Sequence, residues 1–354
     1  MSIVATTSTT DTDPVMEQHA FSVEKLEAYL SEHVAEFTPP LNVGQFRGGM
    51  SNPTFMLTDG GGKAYVLRKK PPGKLLPSAH AVDREFRVIS ALAETDVPVA
   101  KSYVLCEDAS VIGQEFYVME HVAGRVIRDY SLPSMTPAER TDHYNAMCDV
   151  MAKLHSVDFR KVGLETYGRE GGYCFRQVRR WSGQYADTKT DDVPEMEKLI
   201  EWLGARMPEH EETTIVHGDY RMENVIYHPD RPEILAVIDW ELGTLGDPFS
   251  DLAYNCLNYH VGDPERADIT NIDLVAHGIP TEQAYVERYC ELRGLKEAPN
   301  WKFYMALSLF RLAAIAQGVY KRGLDGNASS PDALKRGAKA RQLAEVGWQI
   351  ASGS

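Results

Sequence analysis

The chain has 354 residues, 43% hydrophobic and 25% charged, the balance of a folded globular protein long enough for one large domain or two lobes. Its formal net charge of −14 leaves no basic excess to neutralise phosphates, which argues against nucleic acid as the main partner. Five scattered cysteines, odd in number and without C-x-x-C spacing, form neither a disulfide framework nor a zinc site and point to a reducing compartment.

Residues 1 to 20 are rich in Thr, Ser and Asp and read as a disordered tail. They lack the positive and apolar regions of an export signal, so a cytoplasmic location is expected. Ser22 reads as the N-cap of a short helix through Leu30 that ends before Pro39-Pro40. From Gln45 to Lys70 the pattern is strand, small-residue turn, strand, glycine turn, strand. In the first turn Gly48, Gly49, Ser51 and Asn52 form a candidate phosphate loop, because glycines let backbone N–H groups approach phosphate oxygens without a Cβ in the way. A plain hairpin turn is the alternative. In the third strand Val66, Arg68 and Lys70 share one face and Leu67 and Lys69 the other. Lys69 and Lys70 can also be read as solvated charges at a strand end stopped by Pro71-Pro72. Ala81 to Leu92 has helical apolar spacing, and Tyr103–Leu105 and Phe116–Glu120 read as further strands.

Thr136 to His155 reads as an amphipathic helix. The stretch from Gly171 to Tyr185 sets Arg176, Arg179 and Arg180 among aromatics, either as a site for an anionic group or as a solvated helix face with Trp181 in the core. Trp301 to Tyr320 is strongly apolar but short and interrupted by Arg311, so a core helix is expected and no membrane partner. A loop at 323–331 and a last helix to about Ile350 complete the chain, without internal repeats.

The chemistry concentrates in residues 215–254. Ile215-Val216 reads as a buried strand from which His217-Gly218-Asp219 turns out, and Val225–Tyr227 pairs with Leu235–Ile238 as a hairpin. That hairpin returns Asp239 to the loop of Asp219 and Asn224, so the three should converge. Phosphoryl transfer needs a carboxylate to orient and deprotonate the attacking hydroxyl, and hard oxygen ligands for Mg²⁺ on the nucleotide phosphates. H-x-D-x-x-x-x-N followed by a strand and a second Asp supplies those parts in protein-kinase order.

His217, Gly218, Asp219, Asn224 and Asp239 resemble the HGD-x-x-x-x-N and I-D-W/F motifs of the aminoglycoside phosphotransferase family. The resemblance implies an α+β, protein-kinase-like bilobal fold: a small antiparallel-sheet N-lobe with one helix over residues 21–121 and a mainly helical C-lobe over 122–354. It implies ATP as donor, Asp219 as catalytic base, and Asn224 and Asp239 as Mg²⁺ ligands. The kinase Val-Ala-Ile-Lys aligns with Tyr65–Arg68, which puts Arg68 on the phosphates in place of lysine, a guanidinium fork for a point charge. Glu85 falls at the helix glutamate that pairs with that cation, an ordinary surface glutamate being the alternative. Val122–Gly124 resembles the hinge, with backbone around Glu120 and Val122 on the adenine edge. His217 is expected to brace its loop rather than react, and Asp251 to cap the helix near Leu252 and hold that loop.

A narrower likeness runs through residues 43–350, including Gly48–Thr54, Leu67–His80, the Arg176–Trp181 block and Gly326–Ser330, to the kinase-like domain fused to some acyl-CoA dehydrogenases. It implies a metabolic small-molecule kinase, and the arginine block suits an anionic acceptor better than a polycationic aminoglycoside. A catalytically silent nucleotide-binding module is the alternative. A two-metal phosphatase would need more His or carboxylate ligands than this cluster has.

Overall fold

The computed structural model describes residues 6–8, 11–46, 52–73, 80–262, 268–326 and 332–353. Its elements begin with strands β1 (Thr6–Ser8) and β2 (Thr12–Asp13), helix α1 (Val23–His33), and strands β3 (Asn42–Phe46), β4 (Thr54–Thr58) and β5 (Ala64–Lys69). Helix α2 (Val82–Leu92) precedes β6 (Ser102–Cys106), β7 (Phe116–Glu120) and β8 (Arg125–Ile127). Helices α3 (Pro137–Ser156), α4 (Tyr173–Thr188) and α5 (Pro194–Gly204) lead to β9 (Thr214–Val216), β10 (Val225–Tyr227), β11 (Ile234–Val237) and β12 (Thr244–Gly246). Six helices follow: α6 (Pro248–Asn255), α7 (Leu274–His277), α8 (Glu282–Leu292), α9 (Trp301–Leu324), α10 (Ala333–Gly337) and α11 (Lys339–Ser352).

Packing divides the chain into two units. The first holds residues through Leu132 together with Asp158–Tyr167 and Arg221–Gly243. Its six-stranded antiparallel sheet runs in the order β2-β3-β4-β5-β7-β6. Period-2 alternation sends Phe55, Leu57, Tyr65, Leu67, Phe116 and Val118 into one cluster with Leu26 and Leu30 of α1. Each such side chain contributes roughly 1.5–3 kcal/mol when fully buried. Ser22 caps α1, its Oγ accepting the Lys25 N–H at 3.2 Å. The alternate residues Arg68 and Tyr117 are direct cross-strand partners. Helix α2 packs on β6 and β7, burying Val82, Glu85, Val88, Ile89 and Leu92 at helical spacing.

A second antiparallel sheet, β1-β8-β10-β11, belongs to the same unit. Gly124 leads into β8, and a Cβ there would lie 2.4 Å from the Tyr227 carbonyl oxygen, so only glycine lets β8 meet β10. This pairing is why Arg221–Gly243, which the sequence suggested for the second lobe, groups with the first unit, and why the division falls at Leu132 rather than at 121/122. Asp158–Tyr167 joins it through Arg84, whose guanidinium donates to the Tyr167 carbonyl at 2.6 Å, and Arg87, which donates to that of Gly163 at 2.8 Å.

One expectation and one alternative reading fail in this unit. Described parts of residues 1–20 are ordered against the sheets: β1 pairs with β8, β2 with β3, and Met16 N–H donates to Gln45 Oε1 at 3.0 Å. Backbone ladders need no apolar side chains, so the composition of the segment did not disclose them. Lys69 is not a solvated strand-end charge. It is 2% exposed, lies 5.1 and 5.6 Å from the centres of the Phe21 and Phe55 rings, and donates to the His19 carbonyl at 2.9 Å. Burial pushes its ammonium below the usual lysine range.

The second unit holds Pro133–Val157, Gly168–Tyr220 and Thr244 onward. Helix α9 is its spine, packed by α4, α5, α6, α10 and α11, with Phe303, Met305, Leu309, Phe310 and Ala313 buried. Among the described residues it is the one helix long and apolar enough to cross a membrane, yet 67% of that window is buried in the unit, as in a core helix. Thr136 and Glu139 form a capping box on α3. A short antiparallel pair, β9 with β12, sets Val216 opposite Thr244 at the entrance to the His217 loop.

Candidate active site

In the first unit the chemistry gathers on Arg68. Its Nε lies 3.1 Å from Glu85 Oε2, and an Nη donates to Asp239 Oδ1 at 3.0 Å. Alternation on β5 turns Arg68 toward α2, and the helical stripe of α2 turns Glu85 inward to meet it. Glu85 is 1% exposed and also accepts from Asn52 Nδ2 at 2.6 Å and the Tyr117 hydroxyl at 3.0 Å. Burial pushes the Glu85 carboxyl upward, against the pull of Arg68, Tyr117 and Asn52. Burial alone would lower Arg68, but Glu85, Tyr117 and Asp239 outweigh it and keep the guanidinium charged. Glu85 is therefore no ordinary surface glutamate.

Asp239 follows β11 in the left-handed region at φ 67°, a conformation Asp tolerates better than most side chains, and stays partly exposed. The preceding N–H, of Ile238, donates to the Asn224 carbonyl at 2.9 Å, which ties the two segments together. An amide oxygen and a carboxylate are hard oxygen donors, a set that fits Mg²⁺ completed by phosphates and water. Among the described residues no group of three His, Cys, Asp or Glu could hold a metal, as a two-metal centre would require.

In the second unit the His217 loop is held from several sides. Asp251, 1% exposed, accepts the His217 N–H at 2.5 Å and the Gly218 N–H at 2.8 Å. The His217 ring accepts the Asp219 N–H on Nδ1 at 3.2 Å, while Gly218 takes φ +81°, which its missing Cβ permits. His155 lies with Nε2 3.4 Å from Asp251 and Nδ1 2.7 Å from the Tyr289 hydroxyl, which in turn accepts from Arg293 at 2.9 Å. Burial drives His155 below the usual histidine value, so it is neutral at pH 7. Burial would raise Asp251, but His155 and the backbone donors leave it below the usual aspartate range. The stability it contributes is present above about pH 4 and is lost as pH falls through its lowered value.

These arrangements agree with comparison to known proteins. A model of the phosphotransferase enzyme family (APH) matches residues 42–288. The chain belongs to this family. It is 47% identical to a Ralstonia eutropha JMP134 protein provisionally assigned as an aminoglycoside phosphotransferase, covering 94% of this chain and 99% of that one with a TM-score of 0.88. A thermostable mutant of aminoglycoside phosphotransferase APH(4)-Ia, in complex with AMP-PNP and hygromycin B, shares the fold at TM-score 0.61 and 18% identity, over 93% of this chain and 99% of that one. The phosphotransferase fold is thus α+β and protein-kinase-like. Among curated relatives, mouse acyl-CoA dehydrogenase family member 10 is 46% identical over 347 residues, 97% of this chain and 32% of that protein. Rat acyl-CoA dehydrogenase family member 11 is 46% identical over 351 residues, 97% of this chain and 45% of that protein. The chain spans less than half the length of these relatives.

Other residues singled out in this phosphotransferase fall as follows. Gly48, Gly49 and Ser51 lie outside the described residues. The Asn52 side chain is 1% exposed and committed to Glu85 and to His80, at 3.0 Å. Glu120 ends β7 exposed, with its N–H on the Lys101 carbonyl at 2.7 Å, and Val122 is half-buried. Arg176 donates to the carbonyls of Gly171 and Arg169, so it holds its own loop. Arg179 is exposed, and Arg180, also exposed, lies over the Trp181 ring at 4.9 Å.

The helix cap expected at Asp251 falls instead to Asp247, to which the sequence reading gave no such role, while Asp251 sits within the helix and holds the His217 loop as expected. The Asp247 carboxylate caps α6, the helix that carries Asp251, by accepting the Phe249 N–H at 2.9 Å. Burial, with Glu211 and Glu212 adding to it against the Phe249 N–H and Tyr304, raises Asp247 to about 7. A carboxyl raised in the folded state binds more protons than in the unfolded chain, so its contribution to stability falls as pH rises from about 4 to about 7. Asp247→Asn keeps a good N-cap and removes that titration. Urea midpoints measured from pH 5 to 8 should show the variant gaining on the parent protein as pH rises.

Proposed function

We propose that this protein is a Mg²⁺-dependent phosphotransferase that moves the γ-phosphate of ATP to a hydroxyl of a small-molecule acceptor. The observation that carries the reading is the buried Arg68 bridging Glu85 and Asp239, a cation fixed by two carboxylates of which one, Asp239, is a candidate metal ligand. Such a guanidinium presents a fork that matches phosphate oxygens. Asn224 and Asp239 would hold Mg²⁺, which supplies charge neutralisation on the transferred phosphoryl group. Asp219 would orient the acceptor hydroxyl and accept its proton, its main chain held by the His217 ring. The motif spacing, with Asn224 five positions and Asp239 twenty positions after Asp219, supports assigning the three to one reaction.

The acceptor class favoured is a hydroxylated, anionic metabolite, a hydroxyacyl compound first. Two features support this: the exposed Arg179 and Arg180 on α4, and relatives that carry acyl-CoA dehydrogenase names. ADP release should be followed with Mg·ATP across hydroxylated metabolites, acyl-CoA species and aminoglycosides, each with and without EDTA. Acceptor-stimulated, EDTA-sensitive release is the expected result. Nucleotide binding without turnover on any acceptor would instead make the chain a silent nucleotide-binding module.

A further inference from the structure

We infer that Arg311 is a positioning residue for the proposed base, acting through the peptide group that joins Gly218 to Asp219. The inference rests on the phosphotransferase reading for its catalytic meaning, though not for its geometry. That single peptide is held at both poles. Its N–H, belonging to Asp219, donates to His217 Nδ1 at 3.2 Å, and its carbonyl, belonging to Gly218, accepts from an Arg311 Nη at 2.7 Å. The two N–H groups just upstream, of His217 and Gly218, are both taken by Asp251. With Gly218 in the left-handed region, a backbone free of Cβ restraint could rotate this peptide cheaply. Three successive N–H anchors and one carbonyl anchor remove that freedom, and the carbonyl anchor comes from 93 residues away.

Arg311 is itself fixed in a way a casual surface contact would not need. It projects from the buried spine α9, with its guanidinium 4.9 Å from the Tyr254 ring centre and 5.7 Å from that of Trp181. Its Nε is buried without a hydrogen-bond partner.

Arg311→Met removes the donor while keeping an apolar stem between the two rings, and Arg311→Lys keeps one donor and the charge. Two readouts are needed on the full chain. In the first, hydrogen exchange at the Asp219 amide should accelerate about tenfold or more in Arg311→Met, while the amides of Val225–Tyr227 stay unchanged. In the second, acceptor-free Mg·ATP hydrolysis should lose about 100-fold in kcat, the scale of an ångström-sized misplacement, with KM for ATP within about threefold. Arg311→Lys should lie between the parent protein and Arg311→Met in both readouts. Unchanged exchange at Asp219, or a loss confined to KM, overturns the inference. If the parent protein hydrolyses no ATP while Asp219 exchange still responds to Arg311→Met, the clamp stands and the phosphotransferase reading falls.

Discussion

Asp219→Ala is expected to lower turnover by about 10²–10⁴-fold while leaving nucleotide affinity within a few-fold of the parent protein. Phosphate and metal contacts are assigned to Arg68, Asn224 and Asp239, and all three side chains remain in the variant. Only the proton-accepting step is removed. Asp219→Asn, which keeps the shape and loses the basicity, should fall as far, and this separates base chemistry from steric placement. The main chain of the loop should survive both changes, because Asp251, the His217 ring and Arg311 hold backbone groups rather than the Asp219 carboxylate. Calorimetric titration with an unreactive ATP analogue and a coupled ADP assay give the two quantities. Undiminished turnover in either variant would remove Asp219 from the mechanism.

What the sequence disclosed follows a physical divide. Local patterns were legible: the Ser22 cap, the Thr136 helix, the alternation that turns Arg68 away from Leu67, and the hairpin of β10 and β11. Each depends on residues a few positions apart. Partners across long loops were not legible. Periodicity says that Arg68 and Glu85 each face inward, but the Arg68–Asp239 pair spans 171 positions and the Arg311–Gly218 bond 93. The pairing of β10 with β8, which moves Arg221–Gly243 into the first unit, is likewise set by a glycine-permitted approach and not by hydrophobic pattern. Charged residues mislead most. Lys69 and Arg311 look solvated by type, and each is placed by aromatic rings and one backbone carbonyl.

The same divide makes Glu85 the place where sequence and structure weigh most differently. Glu85→Ala is expected to destabilise the protein by about 3–5 kcal/mol, the scale for breaking a buried ion pair by removing one partner. It strips Arg68 of one of its two carboxylates and leaves the Asn52 amide and the Tyr117 hydroxyl without their acceptor inside the sheet. At roughly 2–4 °C per kcal/mol for a unit of this size, the thermal midpoint should drop by about 10 °C. Glu85→Gln keeps the volume and one acceptor oxygen and should lose less. Affinity for ATP should fall in both, since a guanidinium released from Glu85 has only Asp239 to hold it and can pair fully with that carboxylate. Arg68→Lys discriminates further: one ammonium replaces the two guanidinium edges that now meet Glu85 and Asp239 separately, so nucleotide affinity should drop more than stability. Scanning calorimetry with and without Mg·ATP measures both effects on one sample. A Glu85→Ala protein with the parent midpoint and the parent ligand-induced shift would mean that this ion pair organises neither the sheet nor the nucleotide site.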